Sequence, residues 1–304
     1  MAGCACAAEV GVKGSSFEID GKKVFLLGCS YYGGVGASEE TWKRDLDQMQ
    51  KCGMNWIRVW ATWGVLGKDV SSVDSAGNLR QENFSNLKRL IEECDRRGMV
   101  MDVTLSRGQR LVTFESHRRA VENLLRELKA STNWYLDLAN ERNVGDARFV
   151  SFQELKKLRD LAKGLDQKRL ITASHAGDLA REDVQKYLKE VRVDFLSVHR
   201  PRTAGTASET QAKVAEVVKW MAEMGTVAPV NLDEPFRRGY GRWQPMAEDF
   251  MTDLKGARSG GAAGWCFHNG LEGKGKPARS FDLAERSLFE QLDDEEGKFL
   301  KSLR

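Results

Sequence analysis

Two acidic residues are placed where they could do chemistry. Asn140-Glu141 closes the apolar run from Trp134 to Glu141, and Asp233-Glu234 closes the run from Thr226 to Glu234. A facing pair of carboxyls can cleave a glycosidic bond. One protonates the departing oxygen and the other meets the oxocarbenium-like carbon. A gap near ~5 Å permits direct attack and retention of configuration, whereas a wider one admits water and inverts. Asp233 adjoins Glu234, and a shift of one residue in strand register would exchange them. Further polar and aromatic residues end other apolar runs: Tyr31 and Tyr32, Arg58 with Trp60 and Trp63, Ser106-Arg107, Ser174-His175, His199-Arg200-Pro201-Arg202, and Trp265 with His268. Trp60, Trp63 and Trp243 are candidates either for sugar platforms or for packing.

Arginines crowd the same places. Arg107, Arg110, Arg142, Arg200, Arg202, Arg237, Arg238 and Arg242 all lie at or just beyond the ends of these runs. Guanidinium forks match carboxylate and sulfate geometry. The expectation is a glycan carrying uronate or sulfate, with Arg107 and Arg200 among its contacts. The alternative is that these arginines pair with loop and catalytic carboxylates.

The segments that must position these residues alternate in type. Predicted strands run over Val24–Gly33, Asn55–Trp63, Met99–Leu105, Trp134–Glu141, Arg169–Ser174, Asp194–His199, Thr226–Glu234 and Ala262–Phe267. Predicted helices follow each: Glu39–Cys52, Asn83–Arg97, Glu115–Ala130, Phe152–Lys163, Arg181–Val191, Glu209–Met224, Gln244–Ala257 and Glu285–Leu303. Apolar residues three and four apart, as in Leu87, Leu90, Ile91 and Cys94, support the helices. β-branched and aromatic runs such as Trp56-Ile57-Arg58-Val59-Trp60 support the strands. Strict βα alternation demands parallel strands with right-handed crossovers. Eight near-equal units predict a (β/α)8 TIM barrel rather than a doubly wound open sheet, and the active site of such a barrel lies at the carboxyl ends of its strands. Phe17 to Lys22 reads as a small N-terminal hairpin plugging the barrel floor. One catalytic barrel is expected over residues 15–304, after an export-signal remnant or disordered tail at 1–14.

Composition removes other classes. The 304 residues are 41% hydrophobic and 30% charged, which suits a folded core. A net charge of +3 argues against a nucleic-acid partner. No apolar run reaches the ~18 residues of a membrane span. Gly33-Gly34-Val35-Gly36 lacks the full fingerprint of a phosphate loop. Neither a metal nor another cofactor is expected, since the His, Asp and Glu spacing suggests no metal site and the six cysteines form no CxxC pair. Cys29 and Cys266 read as buried free thiols, and a bridge between Cys52 and Cys94 stays open. The opening MAGCACAAE resembles the small-residue end of an export signal, and Ala-Gly-Cys a lipoprotein processing site with Cys4 as a lipid anchor. Export is the expectation.

Several of these features together resemble the clan A glycoside hydrolases, the cellulase-like superfamily of (β/α)8 retaining enzymes. They are Asp20-Gly21-Lys22 before an apolar strand, Gly53 before Asn55-Trp56-Ile57-Arg58-Val59-Trp60, Asn140-Glu141 ending strand four, Glu234 ending strand seven and Trp265 on strand eight. The resemblance implies hydrolysis of an oligo- or polysaccharide, with Glu141 as acid/base, its pKa raised by a neighbouring anion, and Glu234 as nucleophile, held ionised by Arg58. It also implies that Asn140 bonds the sugar 2-hydroxyl, that His199 orients the nucleophile and that Trp265 stacks on a sugar face. Tyr32, Trp60, Arg107 and Arg200 complete the expected substrate contacts. Two departures stand out. Ser106-Arg107 replaces a common His, and Pro201 falls where relatives have the Tyr of His-x-Tyr. A period of two also cannot point both Asn140 and Glu141 inward without a bulge. The rival functions are a carbohydrate-binding barrel without turnover and a different, metal-dependent barrel enzyme.

Overall fold

The computed structural model describes residues 8–65, 68–108, 110–269 and 281–304. Eight parallel strands form the barrel: β1 (Leu26–Ser30), β2 (Trp56–Trp60), β3 (Val100–Thr104), β4 (Trp134–Asp137), β5, β6 (Leu196–His199), β7 (Val230–Leu232) and β8 (Gly264–Phe267). β5 is split at Ala173. Its first half, Ile171–Thr172, pairs with β4, and its second half, Ser174–Ala176, pairs with β6. At the break, Asp137 Oδ1 accepts from the Ser174 and Ala139 N–H groups, so these buried donors keep a partner. β8 pairs with β1, Gly264 opposite Leu26, and closes the ring. Helices α1 (Glu39–Lys51), α2 (Gln81–Arg96), α3 (Phe114–Glu127), α4 (Phe152–Leu165), α5 (Arg181–Gln185), α6 (Thr206–Glu223), α7 (Ala247–Gly260) and α8 (Asp294–Ser302) alternate with the strands. α5 runs on into one π-helical stretch, Lys186–Val191, and α8 is shorter than its predicted span. No helix among the described residues is long and apolar enough to cross a membrane.

Alternation along each strand sorts the side chains into two cores. Outward residues, such as Ile57, Val59, Leu136, Val198, Leu232, Trp265 and Phe267, meet the helices. Leu87, Leu90, Ile91 and Cys94 of α2 are buried against this layer, as their spacing requires. Inward residues Leu26, Trp56, Val100, Tyr135, Phe195 and Cys266 fill the barrel. Gly28 makes room for the indole of Trp56, because a Cβ there would lie 1.9 Å from the ring. Phe17 closes the floor edge-on against Phe195, with ring centroids 4.9 Å apart, and its burial contributes roughly 1.5–3 kcal/mol.

The floor element is larger than a hairpin. Val10–Lys13, Ser16–Ile19 and Lys22–Val24 form a three-stranded antiparallel sheet, so ordered chain begins before the expected boundary at residue 14. Cys29, Cys52, Cys94 and Cys266 are all buried free thiols, and Cys52 and Cys94 form no bridge. Cys4, the expected lipid anchor, lies outside the described residues. His117 on α3 is buried, its Nε2 lies 2.7 Å from the Leu138 carbonyl, and burial pushes its pKa down to about 4.

Candidate active site

The interior turns from apolar at the floor to charged at the mouth. Arg58 on β2 is wholly buried and forms the hub. Its Nη1 donates to Glu234 Oε1 at 2.5 Å, and its Nη2 to Asp137 Oδ2 and Asn140 Oδ1, both at 3.0 Å. Its Nε faces Asp102 Oδ2 at 3.3 Å and Asp233 Oδ2 at 3.5 Å. Asp102, Tyr135, Asp137, Asn231 and Asp233 occupy the inward phase of their strands, which aims all three aspartates at the same guanidinium. One cation cannot neutralise four carboxyls. Burial above all pushes the Asp102 carboxyl well above its ordinary value and raises that of Asp137.

Glu234 lies just past β7. Burial pushes its carboxyl up, yet His199, His268, Arg58 and Arg202 together outweigh burial and hold it well below the ordinary range. Arg202 Nη2 donates to Glu234 Oε2 at 2.5 Å, and His268 Nε2 stands 3.5 Å from the same oxygen. Glu234 is therefore an ionised, firmly held carboxylate.

Glu141 reaches the mouth by a turn rather than a bulge. β4 ends at Asp137, and Glu141 adopts a left-handed φ of +46°, a conformation that costs a non-glycine residue roughly 1–2 kcal/mol. Its N–H donates to Ser174 Oγ at 3.1 Å, which fixes the turn against β5. Both Asn140 and Glu141 thereby face the site. Glu141 Oε2 accepts from Arg148 Nη1 at 2.5 Å, and Oε1 lies 3.2 Å from His199 Nδ1 and 3.5 Å from Arg202 Nη2. An oxygen of Glu141, an oxygen of Glu234 and a ring nitrogen of His199 all lie within 4.8 Å of one another. The expected rise in the Glu141 pKa is not what this setting produces. Burial raises it, but the hydrogen bond and charge of His199 and the charge of Arg202 win, and the carboxyl rests below its ordinary range. His199 carries the complementary shift. Burial pulls it down, but Glu234, Asp233 and Glu141 raise it to about 9, so it is protonated at neutral pH.

Two sets of donors have the chemistry to hold a metal: Glu141, His199 and Glu234, and Asp102, Asp137 and Asp233. In each, a guanidinium supplies the positive charge, Arg202 in the first and Arg58 in the second.

The structure brings together Arg58, Asn140, Glu141, His199 and Glu234, and departs from expectation elsewhere. Trp265 does not floor a sugar subsite. It lies on the outward phase of β8, fully buried, with Nε1 donating to Asp253 Oδ2 at 2.6 Å and its ring edge-on to Phe299. The same alternation turns Cys266 and His268 inward. The Arg200 guanidinium is held by Asp178 and by Thr206 and Thr210 of α6, away from the carboxyl pair. Arg107 donates to both oxygens of Glu154, at 3.0 and 3.1 Å, while lining a cavity of about 360 Å³ with Trp60, Trp63, Arg110 and Arg148. Trp60 is half-buried in that wall. Tyr32 sits beneath Trp60 and Trp63, with its hydroxyl 2.7 Å from His268 Nδ1. Arg148 and Tyr240 were not foreseen, and neither were the aspartates Asp102 and Asp137. For the aspartates the signal was there: each is a charge at the inward phase of an otherwise apolar strand.

No protein-family model matches the chain, and no curated protein matches it in sequence. Solved structures do match. An endo-1,4-beta-mannanase from Rhizomucor miehei superposes with a TM-score of 0.70 at 14% identity, over 97% of this chain and 98% of that one. A putative glycoside hydrolase from Bacteroides vulgatus gives 0.71 at 16%, over 100% of this chain and 61% of its own. A β-glucuronidase from Ruminococcus gnavus, in complex with uronic deoxynojirimycin, gives 0.64 at 12%, over 98% of this chain and 52% of its own. At such identities the likeness is one of fold. The chain folds as the (β/α)8 barrel that these glycoside hydrolases share.

Proposed function

We propose that the protein is a retaining glycoside hydrolase that cleaves an oligo- or polysaccharide by double displacement, with Glu234 as nucleophile and Glu141 as acid/base. The observation that carries this reading is that an oxygen of each carboxylate comes within 4.8 Å of the other at the barrel mouth, which supports the close pairing that direct attack needs. Glu234, ionised and fixed by Arg58, attacks the anomeric carbon. The bond to the departing oxygen breaks and a glycosyl ester forms. That oxygen takes a proton through Glu141. At rest Glu141 is ionised beside protonated His199, so the proton comes from the 3.2 Å contact between them. Glu141 then takes a proton from water, which attacks the ester and frees Glu234, and passes that proton back to His199 across the same contact. The Asn140 oxygen is occupied by Arg58, which leaves its NH2 group to bond a sugar hydroxyl.

We further propose that the glycan is anionic. The pairings of Arg107, Arg110, Arg200 and Arg238 with Glu154, Asp69, Asp178 and Asp293 weaken this for most of the arginines. Support rests on Arg202, which donates to the nucleophile, and on Arg237, which meets His268 and shares the ring of Tyr240 with Arg202. Export, with Cys4 as a lipid anchor, belongs to the same proposal.

Hydrolysis of a glycan panel, with the first-formed anomer followed by NMR, tests the reaction. Retention is expected, and inversion removes the double displacement. A second reading, a carbohydrate-binding barrel without turnover, is favoured by Arg202, whose Nη2 touches both carboxylates where the reacting carbon belongs. Sugar binding with no product after prolonged incubation would select it.

A further inference from the structure

Arg202 follows β6 and reaches back over the mouth. Its Nη2 lies 2.5 Å from Glu234 Oε2 and 3.5 Å from Glu141 Oε1, and its Nε donates to the Pro235 carbonyl at 3.4 Å. With Glu141, His199 and Tyr240 it lines a cavity of about 280 Å³. A sugar carbon that is to be attacked by Glu234 and released through Glu141 must occupy the space between those oxygens. The guanidinium has to withdraw when substrate binds.

Withdrawal is costly for a group so placed. Only 15% of the Arg202 side chain is exposed, and a buried guanidinium parted from its carboxylate is strongly disfavoured unless it meets another anion. Its surroundings offer a second cation instead. Arg202 and Arg237 lie 4.7 and 4.4 Å from the centroid of the same Tyr240 ring. Arg237 also meets His268 Nε2, a ring that burial keeps neutral, so the two guanidinium groups still repel each other, and an anion that reaches both relieves that repulsion. The group that Arg202 leaves says which anion. It parts from a carboxylate, and a second carboxylate replaces that partner like for like, offering two oxygens to parallel N–H bonds.

Resting on the reading of Glu141 and Glu234 as a glycosidase pair, we infer that the sugar unit held between them is a uronate, whose carboxylate takes over Arg202 from Glu234 with Arg237 as its second cation. The exchange replaces one guanidinium–carboxylate pair by another, so no charge is stranded. It also removes a cation from Glu141 and brings an anion near it. Both changes favour the protonated carboxyl that the departing oxygen needs. An acidic sugar thus readies the acid, and a neutral one leaves Arg202 without a partner.

The test is binding, which needs no turnover. Free D-glucuronate, D-galacturonate and D-mannuronate are titrated against the full chain by NMR, beside the matching hexoses and hexose 6-sulfates. In one series the uronate is expected to bind about tenfold or more tighter than its hexose, as for hydrogen bonds between charged groups. Arg202→Met should bring that ratio to about one, and Arg202→Lys, which keeps the charge and loses the fork, should fall between. Thermal melts of both variants report whether they fold. If Arg202→Met does not, the ratio in Arg202→Lys and Arg237→Gln decides. Equal affinity for uronate and hexose in every series overturns the inference, as does a stronger response to the 6-sulfate or a preference untouched by the variants. Paired aryl uronides and aryl hexosides then separate the two claims. A uronate preference without hydrolysis removes the hydrolase and keeps the site. Hydrolysis of neutral aryl hexosides at equal or greater rates removes the site and keeps the hydrolase.

Discussion

Replacing Arg58 by Met keeps most of the side-chain volume and removes the guanidinium that, alone among the described residues, touches Asp102, Asp137, Asp233 and Glu234 together. All of these groups lie at 0–5% side-chain exposure, so water cannot take its place. Removing one partner of a buried ion pair typically costs about 3–5 kcal/mol. For a chain of this size that lowers the melting midpoint by roughly 6–15 °C, at about 2–3 °C per kcal/mol. The loss must depend on pH, and its sign follows from the carboxyls. Burial already raises Asp102 and Asp137, and without Arg58 their folded pKa values rise further above their unfolded values near ~4. Between the unfolded and folded values the folded variant binds more protons than the unfolded chain, so its stability falls as pH rises. Arg58→Met should therefore lie closer to the wild type at pH 5 than at pH 8. Thermal and urea midpoints at the two pH values measure this. An equal deficit at both, or none at either, would refute the account of Arg58 as the neutralising hub.

Glu141→Gln should lower kcat/KM by about 10²–10⁴-fold on glycosides with poor leaving groups, and far less on dinitrophenyl glycosides, whose departing oxygen needs no proton; equal losses on both would contradict its role as acid. Because His199 is raised to about 9, its protonated form is present below that pH and lost above it, so kcat/KM should fall as pH passes about 9. In His199→Gln that alkaline fall should move to lower pH, as measured by the pH profile of kcat/KM. Trp265→Ala should cost about 3–5 kcal/mol in stability by emptying space against Phe299 and leave KM for the glycan unchanged. A large rise in KM at unchanged stability would return Trp265 to the sugar subsite.

The sequence by itself determined the barrel. Its alternation of apolar runs and amphipathic segments admits little else once eight parallel crossovers have to close, and it placed Arg58, Asn140, Glu141, His199 and Glu234 at strand ends. The barrel held because it depends on local period and on order along the chain; Arg58 falls in the middle of β2, and Glu141 lies four residues past the end of β4. Where a side chain points beyond the last regular residue depends on the turn instead. Glu141 faces the mouth through a single left-handed residue held by Ser174, and no spacing rule encodes that. Trp265 was assigned to the sugar by the family resemblance, although strand parity already turned it outward and His268 inward. The protonation states were the least legible. Whether Glu141 rests charged is settled by His199 and Arg202, which lie far from it in sequence and within 3.5 Å in space. Electrostatic energy falls with distance through space and is blind to distance along the chain. The sequence could supply the carboxylates, and only the closed ring decided which cations they met.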